Sequence, residues 1–170
     1  WDPSSYGGLA GLGAIEPMLS RLKAQPQKTE DVLAQIRFLE KEKAGGVGLV
    51  LPMTKDGETQ VGYVADVRDI VQGLVLTLEK ETAVGEAFNF GMPAPFSYAE
   101  AVPYASKAWK IPYTTITVPS VMKSYLSTAK ASSMLGYNPK YDIYKMIDDT
   151  AAFTRGEDVG VVERLSPKIL

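Results

Sequence analysis

Val61-Gly-Tyr-Val-Ala-Asp-Val-Arg-Asp-Ile-Val-Gln-Gly-Leu-Val-Leu-Thr-Leu-Glu79 changes its hydrophobic period part-way through. Val61 to Val64 reads as a short β-strand. Asp66 follows at the position of a helix N-cap, where a carboxylate accepts a hydrogen bond from an otherwise unpaired N–H of the first turn. From there Val67, Ile70, Val71, Leu74, Val75 and Leu78 recur at helical spacing and share one face. A strand feeding a capped amphipathic helix points to a mixed α/β chain.

Upstream, Lys55-Asp-Gly-Glu58 has hairpin-turn chemistry, and Val47 to Leu51 reads as a short apolar strand. Thr29 is an expected N-cap, with Glu30 and Asp31 suiting the positive end of the helix dipole. The helix it opens carries Val32, Leu33, Ile36 and Leu39 on one face and stops at Gly45. Ala14 to Ala24 reads as a helix that tolerates Pro17 in its first turn.

Downstream, Ala87 to Phe90 reads as a strand, and Ser97-x-x-Glu100 is a capping box opening a helix that contains Pro103. Tyr113 to Val118 alternates as a strand. Ser127 opens a short helix that stops at Gly136, and Asp142 caps a last helix to about Phe153. The tail from Arg155 is charged and expected to be extended. No internal repeat occurs. The expected fold class is α/β, an α+β lobe with a small mixed sheet and several helices. Residues 1–153 form the lobe and 154–170 a C-terminal tail.

Composition narrows the chemistry. The chain has 170 residues, 45% of them hydrophobic, which suffices for one domain with a core. Its 18 Lys and Arg against 20 Asp and Glu are scattered, and no basic stripe of the kind that neutralises phosphates is present. With no Cys and no His, thiolate chemistry, a disulfide framework and a Ser-His-Asp triad are excluded, and zinc catalysis is disfavoured. The apolar runs are too short to span a bilayer. Trp1-Asp-Pro is no signal peptide, so a cytoplasmic protein is the default reading. Trp1 stands where an initiator Met would, which reads as a processed chain or a fragment.

The run from Val61 to Glu79 resembles the NAD-dependent epimerase/dehydratase family of extended short-chain dehydrogenases/reductases. Val84-Gly-Glu-Ala-Phe-Asn-Phe-Gly91 is similar to that family's Gly-Glu-x-Phe-Asn-x-Gly strand, and Ser97-Tyr-Ala-Glu100 to the helix after it. Ala129-Lys-Ala-Ser-Ser-Met-Leu-Gly-Tyr-Asn-Pro-Lys-Tyr141 resembles the closing Lys-Ala-x-x-x-Leu-Gly-x-x-Pro-Lys segment. Tyr6-Gly7 sits where the family has Tyr-Gly-Pro, with Gly8 in place of the proline. Ile15 to Leu22 resembles the helix beside the substrate, and residues 25–46 look like an inserted helix.

The resemblance implies the C-terminal, substrate-side half of such an enzyme. NAD or NADP would be bound by an absent N-terminal Rossmann half, through a Gly-rich turn against the pyrophosphate. The family's catalytic Tyr-x-x-x-Lys belongs to that half too, so no catalytic residue is expected in this chain. The implied reaction is epimerisation, dehydration or reduction of a sugar derivative or other hydroxy or keto compound. Expected partners are a small-molecule substrate and the missing half, with a homodimer open and neither nucleic acid nor membrane. The expected substrate-binding residues are Tyr6, Met18, Arg21, Gln60 and Tyr63, with Leu22 beside Met18. The family's sugar-nucleotide members often place an Arg before the Val61 strand, against the diphosphate. Here Thr59 and Gln60 occupy that region, and Arg21 is the candidate substitute.

Other patterns are weighed and set aside. Gly8-Leu-Ala-Gly11-Leu-Gly13 with Asp31 imitates a dinucleotide fingerprint, but no buried strand precedes it. Tyr141-Asp-Ile-Tyr-Lys145 spells Tyr-x-x-x-Lys, but Tyr141 precedes the Asp142 cap. Asp148 and Asp149 point about 100° apart on a helix and read as solvated. Asp56 and Glu58 belong to a turn and make no metal site. A rival reading is a non-catalytic binding or assembly module with the helix Thr29 to Ala44 as its partner face. A third is a nicotinamide binder using Gly7 to Gly13.

Overall fold

The computed structural model describes residues 14–160. The elements run α1 (Ile15–Lys23), α2 (Glu30–Ala44), β1 (Leu49–Met53), β2 (Val61–Gly62), α3 (Val67–Glu79), β3 (Phe96–Ser97), α4 (Tyr98–Trp109), β4 (Tyr113–Thr117), α5 (Ala129–Leu135) and α6 (Ile143–Thr154). The helix starts follow the caps. Thr29 Oγ1 accepts from Val32 N at 3.4 Å, Asp66 from Arg68 N at 2.9 Å, and Asp142 from Lys145 N at 2.8 Å. Each cap contributes about 1 kcal/mol to its helix. Gly136 ends α5 at φ 72°, a left-handed position that favours glycine.

β1 and β4 pair in parallel, Leu49 opposite Tyr113 through Met53 opposite Thr117. Because side chains alternate along a strand, β1 serves two cores. Leu49 and Leu51 pack with Val102 and Ala105 of α4 and Ile143 and Ile147 of α6. Val50 faces the other way, onto Leu19 and Leu22 of α1 and Ile36 and Leu39 of α2, joined by Ile116 of β4. The result is a helix–sheet–helix sandwich around a short parallel pair. Ile36 and Leu39 each bury a side chain worth about 2 kcal/mol. The apolar face of α2 is therefore part of the core and not an open partner surface.

A second, antiparallel pair sets Val61 of β2 opposite Ser97 of β3 and Gly62 opposite Phe96. A Cβ on Gly62 would lie 2.4 Å from Phe96 Cζ, so only glycine lets the ring cover the strand.

The structure departs from the sequence reading at several places. β1 begins two residues later than Val47, and β2 is confined to Val61–Gly62. Ala87 to Phe90 forms no strand. The N–H groups of residues 87–91 make no backbone hydrogen bond among the described residues. A strand exists only where a neighbour completes its ladder, and this segment has none. In the capping box, Ser97 Oγ accepts from Ala99 N at 3.2 Å, while Glu100 takes the Tyr144 hydroxyl at 3.0 Å instead of reaching back. The tail is not wholly extended either, since it opens with a turn at Arg155–Gly156, and Val159 O accepts from Arg68 Nη1 at 2.6 Å.

The largest difference is the direction in which α3 faces. Its inner side carries Asp69 and Gly73, while Val67, Val71, Leu74, Val75 and Leu78 are exposed, Leu78 to 88%. Polar fastening explains this. Asp69, 1% exposed, accepts the backbone N–H groups of Lys140 and Tyr141 at 3.0 Å each. Gln72 accepts from Asn138 N at 2.9 Å. These bonds hold the polar side of α3 inward and leave its apolar stripe in solvent.

Asp149 is also not solvated. It is 8% exposed and pairs with Arg68 at 2.8 Å and with Lys145. Arg68 also chelates Asp66 at 2.8 Å and lies 3.6 Å over the Tyr141 ring. The adjacent Asp148 points elsewhere, to the Tyr104 hydroxyl at 2.9 Å.

Candidate functional site

A cavity of about 320 Å³ opens between α1, β2, the start of α4 and the loop after β4. α1 supplies Pro17, Met18, Arg21 and Leu22, whose spacing of one turn sets them on a single face. Gln60, Gly62, Tyr63 and Val64 come from β2 and its flanks, and Tyr98 from the first turn of α4. Met122 and Ser124 close the far side. Their loop is pinned to β2, with Val61 N donating to Met122 O at 3.1 Å and Ser124 N to Val61 O at 2.9 Å.

Met18, Arg21, Gln60 and Tyr63, chosen from the sequence, are thus brought together in one wall. Tyr6 lies outside the described residues, as does the Gly8–Gly13 pattern. Tyr63 contributes its ring more than its hydroxyl, which donates to Met92 O at 2.6 Å. A Cβ on Gly91 would lie 2.2 Å from Tyr63 Cε1, so that glycine is what lets the ring lie flat against the loop.

Sequence reasoning missed Tyr98, Met122 and Ser124. Tyr98 is 4% exposed, and burial pushes its phenol upward while the positive charge of Arg21 pulls it back. In the sequence Tyr98 is only the first residue after a cap. Met122 and Ser124 sit in a stretch with no periodic pattern, where no sequence signal marks them.

The catalytic pattern set aside earlier is placed apart from this cavity. Tyr141 stacks on Arg68 outside α6, and Lys145 pairs with Asp149. No group of His, Cys, Asp and Glu able to hold a metal ion occurs among the described residues. A dinucleotide's pyrophosphate needs a glycine-rich turn at a helix N-terminus. The helices α2 to α6 start at Thr29, Asp66, Ser97, Thr128 and Asp142 without such a turn, and the residues before Ala14 lie outside the described ones. No helix of the described residues is long and apolar enough to cross a membrane.

No family model matches the sequence, and no curated protein does either. Solved structures do match the fold. A short-chain dehydrogenase/reductase superfamily protein from Agrobacterium tumefaciens, with bound NAD, superposes at a TM-score of 0.73 with 20% identity, covering 91% of this chain. The fold is that of part of a short-chain dehydrogenase/reductase. A UDP-glucuronic acid 4-epimerase from Bacillus cereus and a dTDP-glucose 4,6-dehydratase from Bacillus anthracis, both in complex with NAD, each match at a TM-score of 0.51 and 19% identity over 68% of this chain. The matched part spans less than half of those structures, 46%, 37% and 37% of their chains in the same order.

Proposed function

We propose that this chain is the C-terminal, substrate-side part of an NAD(P)-dependent epimerase, dehydratase or reductase acting on a sugar derivative or another hydroxy or keto compound. The cavity walled by Met18, Arg21, Gln60, Tyr63 and Tyr98 carries the reading. It combines an apolar wall with a few polar groups, the usual make-up of a small-molecule site. It offers no Tyr-x-x-x-Lys pair and no pyrophosphate turn, so the nicotinamide and proton-transfer groups belong to polypeptide outside residues 14–160. Tyr6 is a further candidate substrate-binding residue, on the resemblance of Tyr6-Gly7 to the family's Tyr-Gly-Pro.

The exposed stripe of α3 supports the second half of this reading. Val67, Val71, Leu74 and Leu78 are exposed on the outer side of α3, while the N–H groups of residues 87–91, which meet its inner side through Phe90, make no backbone hydrogen bond among the described residues. Exposed apolar rows mark interaction surfaces. The nucleotide-binding polypeptide would supply a strand to pair with residues 87–91 and a cover for the outer side of α3. The matched part is less than half of each NAD-bound structure that shares the fold. The substrate part and the cofactor part together make the enzyme, and the isolated chain is catalytically incomplete.

Chemical-shift mapping tests the assignment of the cavity. Titrating a labelled chain with hexoses, hexuronates and nucleotide sugars is expected to perturb α1, Gln60 to Val64 and Met122 to Ser124. Perturbations confined to α3 or α6 would place the ligand elsewhere and sink the reading.

A further inference from the structure

We propose that the cavity selects a compact polyhydroxylated substrate bearing a single anionic group, and that Arg21 is the residue that takes that anion. The inference rests on the cavity being the substrate site. Arg21 is the one charged side chain in its described lining. Its neighbours on α1 are already committed, Lys23 to Glu40 at 2.6 Å and Glu16 to Lys43, both across to α2. Arg21 has no carboxylate or hydrogen-bond acceptor among the described residues, although it stands at the mouth of a wall built from Met18, Leu22 and Tyr98. A guanidinium presents its donors as a planar fork that fits a carboxylate or a phosphate through paired bonds.

The rest of the lining limits what accompanies the anion. Gln60 and Ser124 offer neutral polar side chains that make no hydrogen bond among the described residues and suit hydroxyl groups. Tyr63 OH is spent on Met92 O. The volume, about 320 Å³, lies at the low end of small-molecule sites, which run from roughly 300 to 1,000 Å³. A nucleoside diphosphate sugar carries two adjacent charges and a base, and the described lining has one cation and no second basic side chain for it. The arrangement suits a sugar acid or a sugar monophosphate.

The test is a calorimetric titration of the chain with glucuronate, glucose 6-phosphate, glucose and UDP-glucose, repeated on Arg21→Gln, Arg21→Lys and, as a control on the same helix, Lys23→Gln. Glucuronate or glucose 6-phosphate is expected to bind more tightly than glucose, the stronger of the two identifying the anion as carboxylate or phosphate. Arg21→Gln is expected to weaken that ligand about ten- to a hundredfold, the range of one charge-assisted hydrogen bond. Arg21→Lys recovers part of the loss and Lys23→Gln changes nothing. Equal binding of glucose, no effect of Arg21→Gln, or tightest binding of UDP-glucose would each overturn the proposal while leaving the cavity as the substrate site. Failure of all four ligands to bind would remove the substrate-site reading and the proposal together.

Discussion

The ring of Phe90 lies against the backbone of Gly73, so closely that a Cβ on residue 73 would fall 2.6 Å from Phe90 Cδ1. The contact joins the inner side of α3 to the 87–91 segment. Phe90 in turn packs on Tyr137 at 5.0 Å between ring centroids. Gly73→Ala is therefore expected to destabilise the chain by about 1–3 kcal/mol through overpacking, despite alanine's better helix propensity. A thermal melt showing an unchanged or higher Tm would contradict the contact.

The outer side of α3 should behave oppositely. Leu74→Gln and Leu78→Gln replace exposed side chains that belong to neither core cluster of the described residues. Stability of the isolated chain should stay within about 0.5 kcal/mol of the parent. Association with the nucleotide-binding polypeptide should weaken, read by co-purification of the two parts. Loss of folding in these variants would show that α3 packs the other way round.

Arg68 neutralises two carboxylates in a site where its own side chain is only 15% exposed. Arg68→Met leaves Asp66 nearly buried without a cation and Asp149 with Lys145 alone. The expected cost is about 3–5 kcal/mol, measured by urea unfolding. Adding Asp149→Asn should recover part of it, since one of the two carboxylate charges is removed. Additive losses in the double variant would contradict the network.

Tyr137 donates to Gly91 O at 2.9 Å, and burial pushes its phenol up to about 12 from an ordinary value of 10. The unfolded phenol ionises first as pH rises. Stability from this group is thus complete below pH 10 and lost as the pH climbs toward 12. Tyr137→Phe removes one hydrogen bond, worth about 1 kcal/mol at neutral pH. The gap between parent and variant should narrow through the alkaline window, and a constant gap would contradict the assignment.

The sequence carried the helices well because their starts are local chemistry. Thr29, Asp66 and Asp142 each cap the helix expected of them, and Gly136 stops α5. Periodicity told which residues of α3 share a face, but not which way the face looks. That was decided by Asp69 and Gln72 bonding a distant loop. The strand character of Ala87 to Phe90 was legible, yet a ladder needs a neighbour, and residues 14–160 provide none. β3, at Phe96–Ser97, is too short to show alternation. Met18, Arg21, Gln60 and Tyr63 converge because α1 and β2 do. Tyr98 and Ser124 join them through contacts distant in sequence, which no local pattern encodes.

A fluorescence titration of the isolated chain with NADH addresses the separation of substrate wall and cofactor site most directly. Without a pyrophosphate turn among residues 14–160, the nicotinamide emission should change only linearly with added protein, with no saturation. Saturable binding in the micromolar range would contradict the account and place a nucleotide site within this chain.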